Sequence, residues 1–490
     1  MTDTALLTTL AAALAAWRGL LGAAGCLSAE ALGPDETTAT FPWPGAPLAR
    51  LIPATPDQAA ECLAVASTHG VPIHPVARGR SWGLGSRLPP SAAVILDLSR
   101  LDRIIALDMR HGMVRLEPGV TFAALQRRLR DEGLAFHVPS FGGSPDASVL
   151  ANALERGDGL GTHGDRYLAL RDLDVALASG ERLRTGPARF GVAPDALAVD
   201  PRPAGPVLEG LFSQSGLGVV LAATMTLQPT PAFAEAVLVD IPASDALGPA
   251  LAALGALIRD GIVDPMAATL WDAAKRQSAG AGGAGWGLSL MLGAPDRGFL
   301  AARRRRVIAA LGPFAAEVTV QGDRDADGRR RDTPLTGLSD GANLAAVHAG
   351  RPAGAPRSGN PDADGCGFVW LCPALPLDGA AVAAVADAVA AETRTAPVVA
   401  ALGFQAQSSQ TLHGYVSLAW DRARPGADAE AMAAHDRLAA RLLALDMAPF
   451  RRGWAGLRAQ PITDGTMCAI LARLRGTLDP SGVLSPGRLT

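Results

Sequence analysis

The most constraining feature of this 490-residue chain is a glycine-rich loop, PVARGRSWGLGS (residues 75–86), which follows an apolar stretch typical of a β-strand. Glycine has no Cβ, so successive backbone N–H groups in such a bend can approach an anion such as a pyrophosphate. The glycines do not follow the G-x-G-x-x-G spacing of a Rossmann turn, and no Gly-Lys-Ser/Thr follows them. The loop therefore predicts a dinucleotide cradle of another kind. A turn without a ligand is the alternative when the loop is taken alone.

Three further segments follow the loop in order along the chain. They are GGSPDASVLANALERGDGLGTHGDR (142–166), LEGLFSQSGLGVV (208–220) and LDPSGVLSPGR (478–488). Together with the loop, they resemble the segments that hold FAD in the vanillyl-alcohol oxidase and 4-cresol dehydrogenase family of flavoproteins. The resemblance is clearest over residues 41–231 and weaker near the C-terminus.

The resemblance implies an α+β fold, in which a two-subdomain FAD-binding domain of the PCMH type is joined to an α+β substrate or cap domain. The sequence pattern agrees with this division. Residues 51–97 alternate strand and helix with short connections. From residue 233, long Ala- and Leu-rich helical stretches take over. We therefore assign residues 1–232 and 449–490 to a discontinuous FAD-binding domain and residues 233–448 to the cap domain.

Periodicity and turn residues locate several elements within these domains. We predict a strand at 51–53, helices at 56–69, 243–258 and 298–311, and a helix that begins near Thr121. The four arginines 303–306 are interpreted as a solvated helix face. A net charge of −3 and a pI near 6.3 give no broad cationic field for nucleic acid.

The FAD-binding residues are predicted from all four segments. A flavin needs donors for its pyrophosphate, hydrogen bonds at its ring edge and positive charge near N1. The predicted set is Gly79, Arg80, Ser81, Trp82, Gly83, Gly85, Ser144, Asn152, Glu155, Arg156, Gly157, Gln214, Ser215, Val219 and Arg488. For Glu155 and Arg156, a structural ion pair is the alternative.

The cofactor is predicted to be FAD bound without a covalent link. Many relatives attach the flavin through a histidine or tyrosine, and the matching positions here are Phe368 and Ser81. Neither side chain bonds the flavin methyl group as histidine does. Cys366 lies two residues from Phe368, so a shift in the alignment would make a cysteinyl link the alternative.

Four residues are candidates for catalysis: Arg451, His163, Asp146 and His413. Arg451 resembles an arginine that stabilises negative charge in the reduced flavin or the substrate, with Arg452 as the alternative in a register shifted by one. His163 replaces a family tyrosine and would accept a proton near pH 7. His413 is predicted to line the pocket from a cap strand, with a structural histidine as the alternative.

Asp146 is the candidate base near flavin N5, and Ser140 takes that position in another register. An equally weighted alternative for Asp146 is a helix N-cap, because an acidic residue after a proline suits that role.

Three tyrosines that hold a phenolate in phenol-oxidising relatives are replaced here by Leu84, His163 and Phe450. A phenolate would lose up to three hydrogen bonds of about 1.5–3 kcal/mol each. We therefore predict an FAD-dependent oxidoreductase that removes a hydride from a small organic substrate to flavin N5, from a C–H bond next to an alcohol, amine or conjugated group. The alternatives are a 4-alkylphenol oxidase or dehydrogenase with a remodelled phenol pocket that binds through His163 and Arg451, and a noncatalytic flavin-fold subunit. The electron acceptor, O₂ or a protein, is left open.

Composition limits the other classes of function. No His/Cys/Asp/Glu cluster has metal-ligand spacing, so no metal is predicted. Five cysteines without C-x-x-C spacing favour reduced thiols and a cytoplasmic protein. Asp3 and Trp17-Arg18 interrupt the N-terminal apolar run, which favours an amphipathic helix over a signal peptide, and no membrane or nucleic-acid partner is predicted. A homodimer is implied by the resemblance. Lys275 is the only lysine, which we attribute to genome composition.

Overall fold

The computed structural model describes residues 3–139, 142–192, 200, 204–242, 244–325, 327–328, 330–331, 336–337, 341 and 344–488. Its α-helices, numbered along the chain, are α1 (Asp3–Leu21), α2 (Pro34–Thr37), α3 (Pro56–His69), α4 (Phe122–Asp131), α5 (Val149–Leu154), α6 (Ser244–Arg259), α7 (Ala273–Ser278), α8 (Arg297–Leu311), α9 (Leu344–Val347), α10 (Gly379–Thr393), α11 (Ala427–Ala444), α12 (Trp454–Ala459) and α13 (Gly465–Leu478).

The strands are β1 (Cys26–Ser28), β2 (Pro47–Leu51), β3 (Ile73–Val76), β4 (Ala93–Asp97), β5 (Ile104–Asp108), β6 (Met113–Leu116), β7 (Phe136–His137), β8 (Leu170–Ala176), β9 (Arg182–Arg184), β10 (Val219–Thr226), β11 (Gln228–Pro229), β12 (Phe233–Ile241), β13 (Ala268–Trp271), β14 (Trp286–Ala294), β15 (Glu317–Gly322), β16 (Cys366–Pro376), β17 (Val398–Ala406), β18 (Thr411–Asp421) and β19 (Pro449–Arg451).

The first sheet has the order β1-β2-β4-β3, with β2, β4 and β3 parallel. Helix α3 connects β2 to β3 as predicted, and α1 lies beside it, where the buried Trp17 donates a hydrogen bond of 3.1 Å from Nε1 to the Cys62 carbonyl. The strand predicted at 51–53 is present before α3, but its predicted bounds are wrong, because β2 ends at Leu51. Pro53 has no backbone N–H to donate to a neighbouring strand, and the Ile52 N–H donates to Gly25.

The second sheet is antiparallel, with the order β5-β6-β10-β8-β9. Helices α4 and α5 contribute Phe122, Leu125 and Leu150 to the core beside it. Helix α4 begins directly after Thr121, as predicted, and the Thr121 hydroxyl caps it by accepting the Ala124 N–H at 3.1 Å.

An eight-stranded antiparallel sheet, the cap sheet, has the order β15-β12-β14-β13-β17-β18-β16-β19. Seven of its strands come from the predicted cap residues 233–448. The predicted boundary at 448/449 is wrong for β19, because this strand of the segment assigned to the FAD-binding domain pairs with β16 in the same sheet. Helices α6, α8, α10 and α11 pack on one face, and the other face points toward the first two sheets. The helix predicted at 243–258 is α6, although residue 243 lies outside the described residues. The interpretation of arginines 303–306 as a solvated face is wrong for Arg303. That residue is buried on α8 and donates to the carbonyls of Ile262 and Gly293 and to Asp264.

The C-terminal segment returns to the first sheet. The Ile73 N–H donates to Val483 and the Ser485 N–H donates to Ile73, both at 2.9 Å. His74 Nδ1 also hydrogen-bonds the Ser485 hydroxyl at 2.8 Å. Among the described residues, no helix combines the length and the apolar character needed to cross a membrane.

Candidate active site

A cavity of about 1000 Å³ lies where the glycine loop, the 142–160 segment and the C-terminal segment face the cap sheet. Ten predicted FAD-binding residues line it: Gly79, Arg80, Ser81, Trp82, Gly85, Ser144, Asn152, Glu155, Gly157 and Arg488. The remaining five, Gly83, Arg156, Gln214, Ser215 and Val219, are not part of that lining. The structure therefore brings three of the four predicted segments to one cavity wall.

The glycine loop bends through backbone conformations in the left-handed region. Gly83 and Gly85 have φ angles of 76° and 130°, which favour glycine. A Cβ on Gly83 would lie 2.6 Å from the Trp370 side chain, and one on Gly85 would lie 2.1 Å from Trp454. These two glycines therefore allow two tryptophans to pack against the loop, a role that the sequence did not indicate.

The loop also presents backbone donors to the cavity. The Gly83 N–H donates to Thr40 Oγ1 at 2.9 Å, but the N–H groups of Arg80, Ser81 and Trp82 have no acceptor among the described residues. These three residues line the cavity, and successive N–H donors without an acceptor in the protein suit an anion such as a pyrophosphate. The wall therefore fits the phosphates of FAD.

A buried carboxyl group, that of Asp362, hydrogen-bonds two side chains of this loop. Asp362 is only 6% exposed and accepts hydrogen bonds from Trp82 Nε1 at 3.1 Å and from the Ser86 hydroxyl at 2.8 Å. Burial raises its pKa to about 7, against the lowering effect of these two hydrogen bonds.

The second and third segments meet the C-terminal segment through side chains. Glu155 forms an ion pair with Arg488, and Gln214 Nε2 donates to Glu155 at 3.3 Å and to the Arg452 carbonyl at 3.3 Å. Gln214 is therefore linked to the cavity wall through Glu155. Glu155 and Arg156 each form an ion pair, but not with each other. Arg156 Nη2 lies 3.8 Å from Asp165 Oδ2, whereas Glu155 pairs with Arg488.

A buried polar cluster is centred on Asp158, which sequence reasoning did not select. Its Oδ2 accepts hydrogen bonds from the Tyr415 hydroxyl, from His413 Nδ1 at 2.7 Å and from Gln407 Nε2 at 3.3 Å. Burial, and then the Asp158 charge, raise the Tyr415 pKa well above its ordinary value of 10. Tyr415 therefore keeps its proton and donates it to the carboxylate. The His413 ring stacks on Phe450 with 3.6 Å between ring centroids.

Arg451 lies on β19 and pairs with Cys372 of β16 on the cavity wall. Its Nε is buried without a hydrogen-bond partner, and the described residues place no carboxylate within salt-bridge distance of its guanidinium. Arg452 also lines the cavity, but its Nη1 donates to the Gln460 carbonyl at 2.7 Å. Of the two registers, Arg451 is thus the one whose guanidinium makes no hydrogen bond among the described residues.

Lys275 contributes a second cation, from the short helix α7. Its side chain is buried but lines the cavity, and Nζ lies 5.5 Å from the ring centroid of Trp370 and 5.9 Å from that of Trp271. Burial lowers its pKa to about 8, whereas Asp272 raises it. The Asp272 carboxylate caps α7 by accepting the Lys275 backbone N–H at 2.7 Å.

Three of the four predicted catalytic residues do not line the large cavity. His163 and His413 line a separate pocket of about 390 Å³, and burial lowers the His163 pKa, as does Arg171 to a smaller extent. Asp146 is absent from both linings, and the N-cap alternative for it is wrong. The residue that caps α5 is Ser148, whose hydroxyl accepts the Ala151 N–H at 3.0 Å. Ser140 lies outside the described residues.

The three candidate positions for a covalent flavin link, Phe368, Cys366 and Ser81, differ in their access to the cavity. Phe368 and Cys366 are fully buried in a cluster with Trp82 and Val347 and do not line the cavity. Ser81 lines it. A cysteine that sequence reasoning did not consider, Cys372, lines it too, and burial raises the pKa of its thiol to about 12.

Known proteins resemble this chain in sequence and in fold. An FAD binding domain model matches residues 47–186. The chain is 30% identical to the 1'-carboxy-chondrochloren decarboxylase of Chondromyces crocatus, over 97% of this chain and 96% of that protein. It is also 29% identical to the 4-cresol dehydrogenase flavoprotein subunit of Pseudomonas putida, over 38% of this chain and 36% of that one. The chain belongs to the PCMH-type FAD-binding flavoprotein family.

Solved structures of PCMH-type flavoproteins share the fold. Substrate-bound p-cresol methylhydroxylase matches with a TM-score of 0.85 at 19% identity, over 98% of this chain and 97% of the other. The 4-ethylphenol oxidase from Gulosibacter chungangensis matches with a TM-score of 0.82 at 19% identity, over the same shares. The predictions of an α+β PCMH-type fold, of FAD as cofactor and of an FAD-dependent oxidoreductase are confirmed.

Proposed function

We propose that this flavoprotein removes a hydride from a C–H bond of a small organic substrate held between the glycine loop and the cap sheet. The observation that carries the proposal is the continuity of one cavity from the unpaired donors of the loop to Arg451 and the Asp158–Tyr415 pair. FAD, when bound, supplies N5 as the hydride acceptor and leaves negative charge on the reduced ring. The side chains of the chain then have to position the substrate and balance charge.

Arg451 is the residue proposed to stabilise the negative charge that develops during the reaction. Its guanidinium lines the cavity and has no carboxylate partner among the described residues, so its charge is available to an anionic ligand or a reduced ring. A preorganised cation in a water-poor site stabilises a developing anion without reorganising during the reaction. FAD is proposed to bind without a covalent link. Of the three positions Phe368, Cys366 and Ser81, only Ser81 lines the cavity, and serine does not bond the flavin methyl group as histidine does.

Tyr415 and Asp158 are proposed to take a proton from a substrate hydroxyl. The Tyr415 hydroxyl donates its hydrogen bond to Asp158, so the lone pairs of the Tyr415 oxygen can accept a hydrogen bond from a substrate hydroxyl. The substrate proton would pass to Tyr415 as the Tyr415 proton passes to Asp158. The phenol-oxidising alternative gains support from this pair rather than from His163, since His163 is not part of the cavity lining.

A second candidate is an oxidation that also releases CO₂ from an organic acid. It is favoured by the unpartnered Arg451 cation and by the 30% identity to a decarboxylase over nearly the whole chain. Loss of hydride from one carbon and of CO₂ from the next is balanced, because the C–C bonding pair becomes the new C=C bond and the carboxylate charge leaves with the hydride. No base is required for this step.

Anaerobic bleaching of the flavin absorbance would test the proposal. The FAD-loaded protein is mixed with alcohols, phenols and aryl-substituted carboxylic acids, and headspace CO₂ is measured in parallel. Bleaching with an alcohol or phenol and no CO₂ supports the first candidate, whereas stoichiometric CO₂ supports the second. A flavin that no member of these classes reduces would contradict both candidates. Reoxidation by O₂ or by a cytochrome then distinguishes an oxidase from a dehydrogenase.

A further inference from the structure

The only lysine of the chain lies inside the cavity rather than on the surface. The sequence contains 44 lysines and arginines together, and Lys275 is the single lysine among them. The other 43 are arginines, and the exception is a residue that is only 5% exposed. An ammonium group is a compact point charge with three donors, and the larger planar guanidinium of arginine replaces it only in part in a confined site.

The Lys275 ammonium has no anionic partner that satisfies it. Among the described residues, no carboxylate lies within 4.0 Å of Nζ, and the side-chain hydrogen bonds that involve Lys275 use only its backbone N–H and carbonyl. The Asp272 carboxylate raises the Lys275 pKa but is engaged by the backbone of α7. The rings of Trp271 and Trp370 offer cation–π contacts, which compensate a desolvated charge only in part. Three donors therefore remain for a ligand that enters the cavity.

The neighbouring cation on α7, Arg276, has an anionic partner within the protein. Arg276 also lines the cavity, but its Nη1 donates to Asp240 Oδ1 at 2.6 Å and to the Gly285 carbonyl at 3.3 Å. The charge of Arg276 is thus neutralised within the protein. On this part of the wall, Lys275 is the cation left for a ligand.

The surroundings of the ammonium are aromatic and aliphatic. Trp271 and Trp370 flank Nζ, and Leu344 and Val347 line the same cavity. On β16, Trp370 and Cys372 point to the same face, because alternate residues of a strand do so about 7 Å apart. Cys372 is paired with Arg451 across β16 and β19. The Lys275 ammonium, beside Trp370, and the Arg451 guanidinium therefore belong to the same wall of the cavity.

We propose that Lys275 binds the carboxylate of an organic acid whose apolar body packs against Trp271 and Trp370, so that the substrate of this site is a carboxylic acid. The inference deepens the proposed function and rests on it for the identity of the bound molecule as substrate. A carboxylate supplies the acceptors that the ammonium lacks, and the flat indole rings suit an aryl or conjugated body.

Binding of matched ligands to the FAD-loaded protein tests this site without turnover. The probes are benzoate, phenylacetate and 3-phenylpropanoate, each compared with the alcohol of the same carbon skeleton by isothermal titration calorimetry. For the wild type, we expect at least one acid to bind about 10- to 100-fold more tightly than its alcohol, as a hydrogen bond to a charged group predicts. Lys275→Met should abolish this preference and leave the affinity for the alcohol unchanged, while Lys275→Arg should retain part of it.

A measurement on the wild type covers the case in which Lys275→Met does not fold. Reductive methylation followed by mass spectrometry reports on a single lysine, and the preferred acid should slow modification of Lys275 while its alcohol should not. The inference is overturned if Lys275→Met keeps the full preference for the acid, if no acid in the series is preferred by the wild type, or if the acid does not protect Lys275. If the acid preference depends on Lys275 but no substrate reduces the flavin, the carboxylate site stands and only the proposed function is contradicted.

Discussion

Replacing Asp362 with asparagine tests the structure behind the glycine loop. The carboxyl group is buried and its pKa is raised to about 7 from an ordinary 3.8. Because the folded state binds this proton more tightly than the unfolded state, the free energy of unfolding falls as pH rises from about 4 to 7. A difference of about three pH units corresponds to about 4 kcal/mol, an upper value for one group.

Asp362→Asn removes this titration and keeps both hydrogen bonds. The asparagine carbonyl accepts from Trp82 Nε1, and its amide donates to the Ser86 hydroxyl, which serves equally as an acceptor. We expect the melting temperature of the variant to equal that of the wild type near pH 4 and to exceed it by several degrees at pH 8, as several kcal/mol would produce. Differential scanning calorimetry of the FAD-loaded protein at one scan rate measures this.

Asp364→Asn is the matched control, two residues away. Burial raises the pKa of Asp364, but hydrogen bonds from His348 and Ser358 outweigh it and lower the pKa below its ordinary value. Its contribution to stability is therefore present above pH 4 and lost as pH falls through the lowered pKa, so this variant should melt lower than the wild type at pH 8. Parallel melting curves of the wild type and Asp362→Asn from pH 4 to 8 would refute the reasoning.

Three further predictions concern the cavity. Tyr415→Phe removes a hydrogen bond to the Asp158 carboxylate and should lower kcat/KM for a hydroxylated substrate about 10- to 100-fold, with FAD content unchanged; equal rates of flavin reduction in stopped flow would exclude the proton path. Arg488→Met removes a cation on the cavity wall and leaves Glu155 without its ion pair, so it should weaken FAD binding. An unchanged fluorescence titration of FAD would contradict that role. Acid precipitation should leave the yellow colour in the supernatant, whereas a coloured pellet would show a covalent flavin.

The backbone of the glycine loop and the start of α4 were predictable because their requirements are local. A loop that needs positive φ at Gly83 and Gly85 must carry glycine there. Thr121 caps α4 through an atom three residues away. Such constraints act within a few residues, so they leave a pattern that can be recognised in a single sequence.

The polar cluster at the substrate end was not predictable in this way. Tyr415 lies 257 positions from Asp158 along the chain, and their contact arises only because β18 of the cap sheet faces the 142–166 segment. No spacing rule links such residues. The one available signal was rarity, since Tyr415 is one of two tyrosines and Lys275 is the only lysine.

By itself, the sequence determined the family, the cofactor and the backbone of the cradle, because these depend on glycines, caps and contiguous segments. Only the tertiary structure decided which charged groups are available for chemistry. Arg276 and Lys275 are adjacent in sequence, but Asp240 neutralises the first and the second faces the cavity without an anionic partner among the described residues. The charge state and the availability of a buried side chain depend on desolvation and on partners brought together from distant strands, and neither is encoded in local spacing.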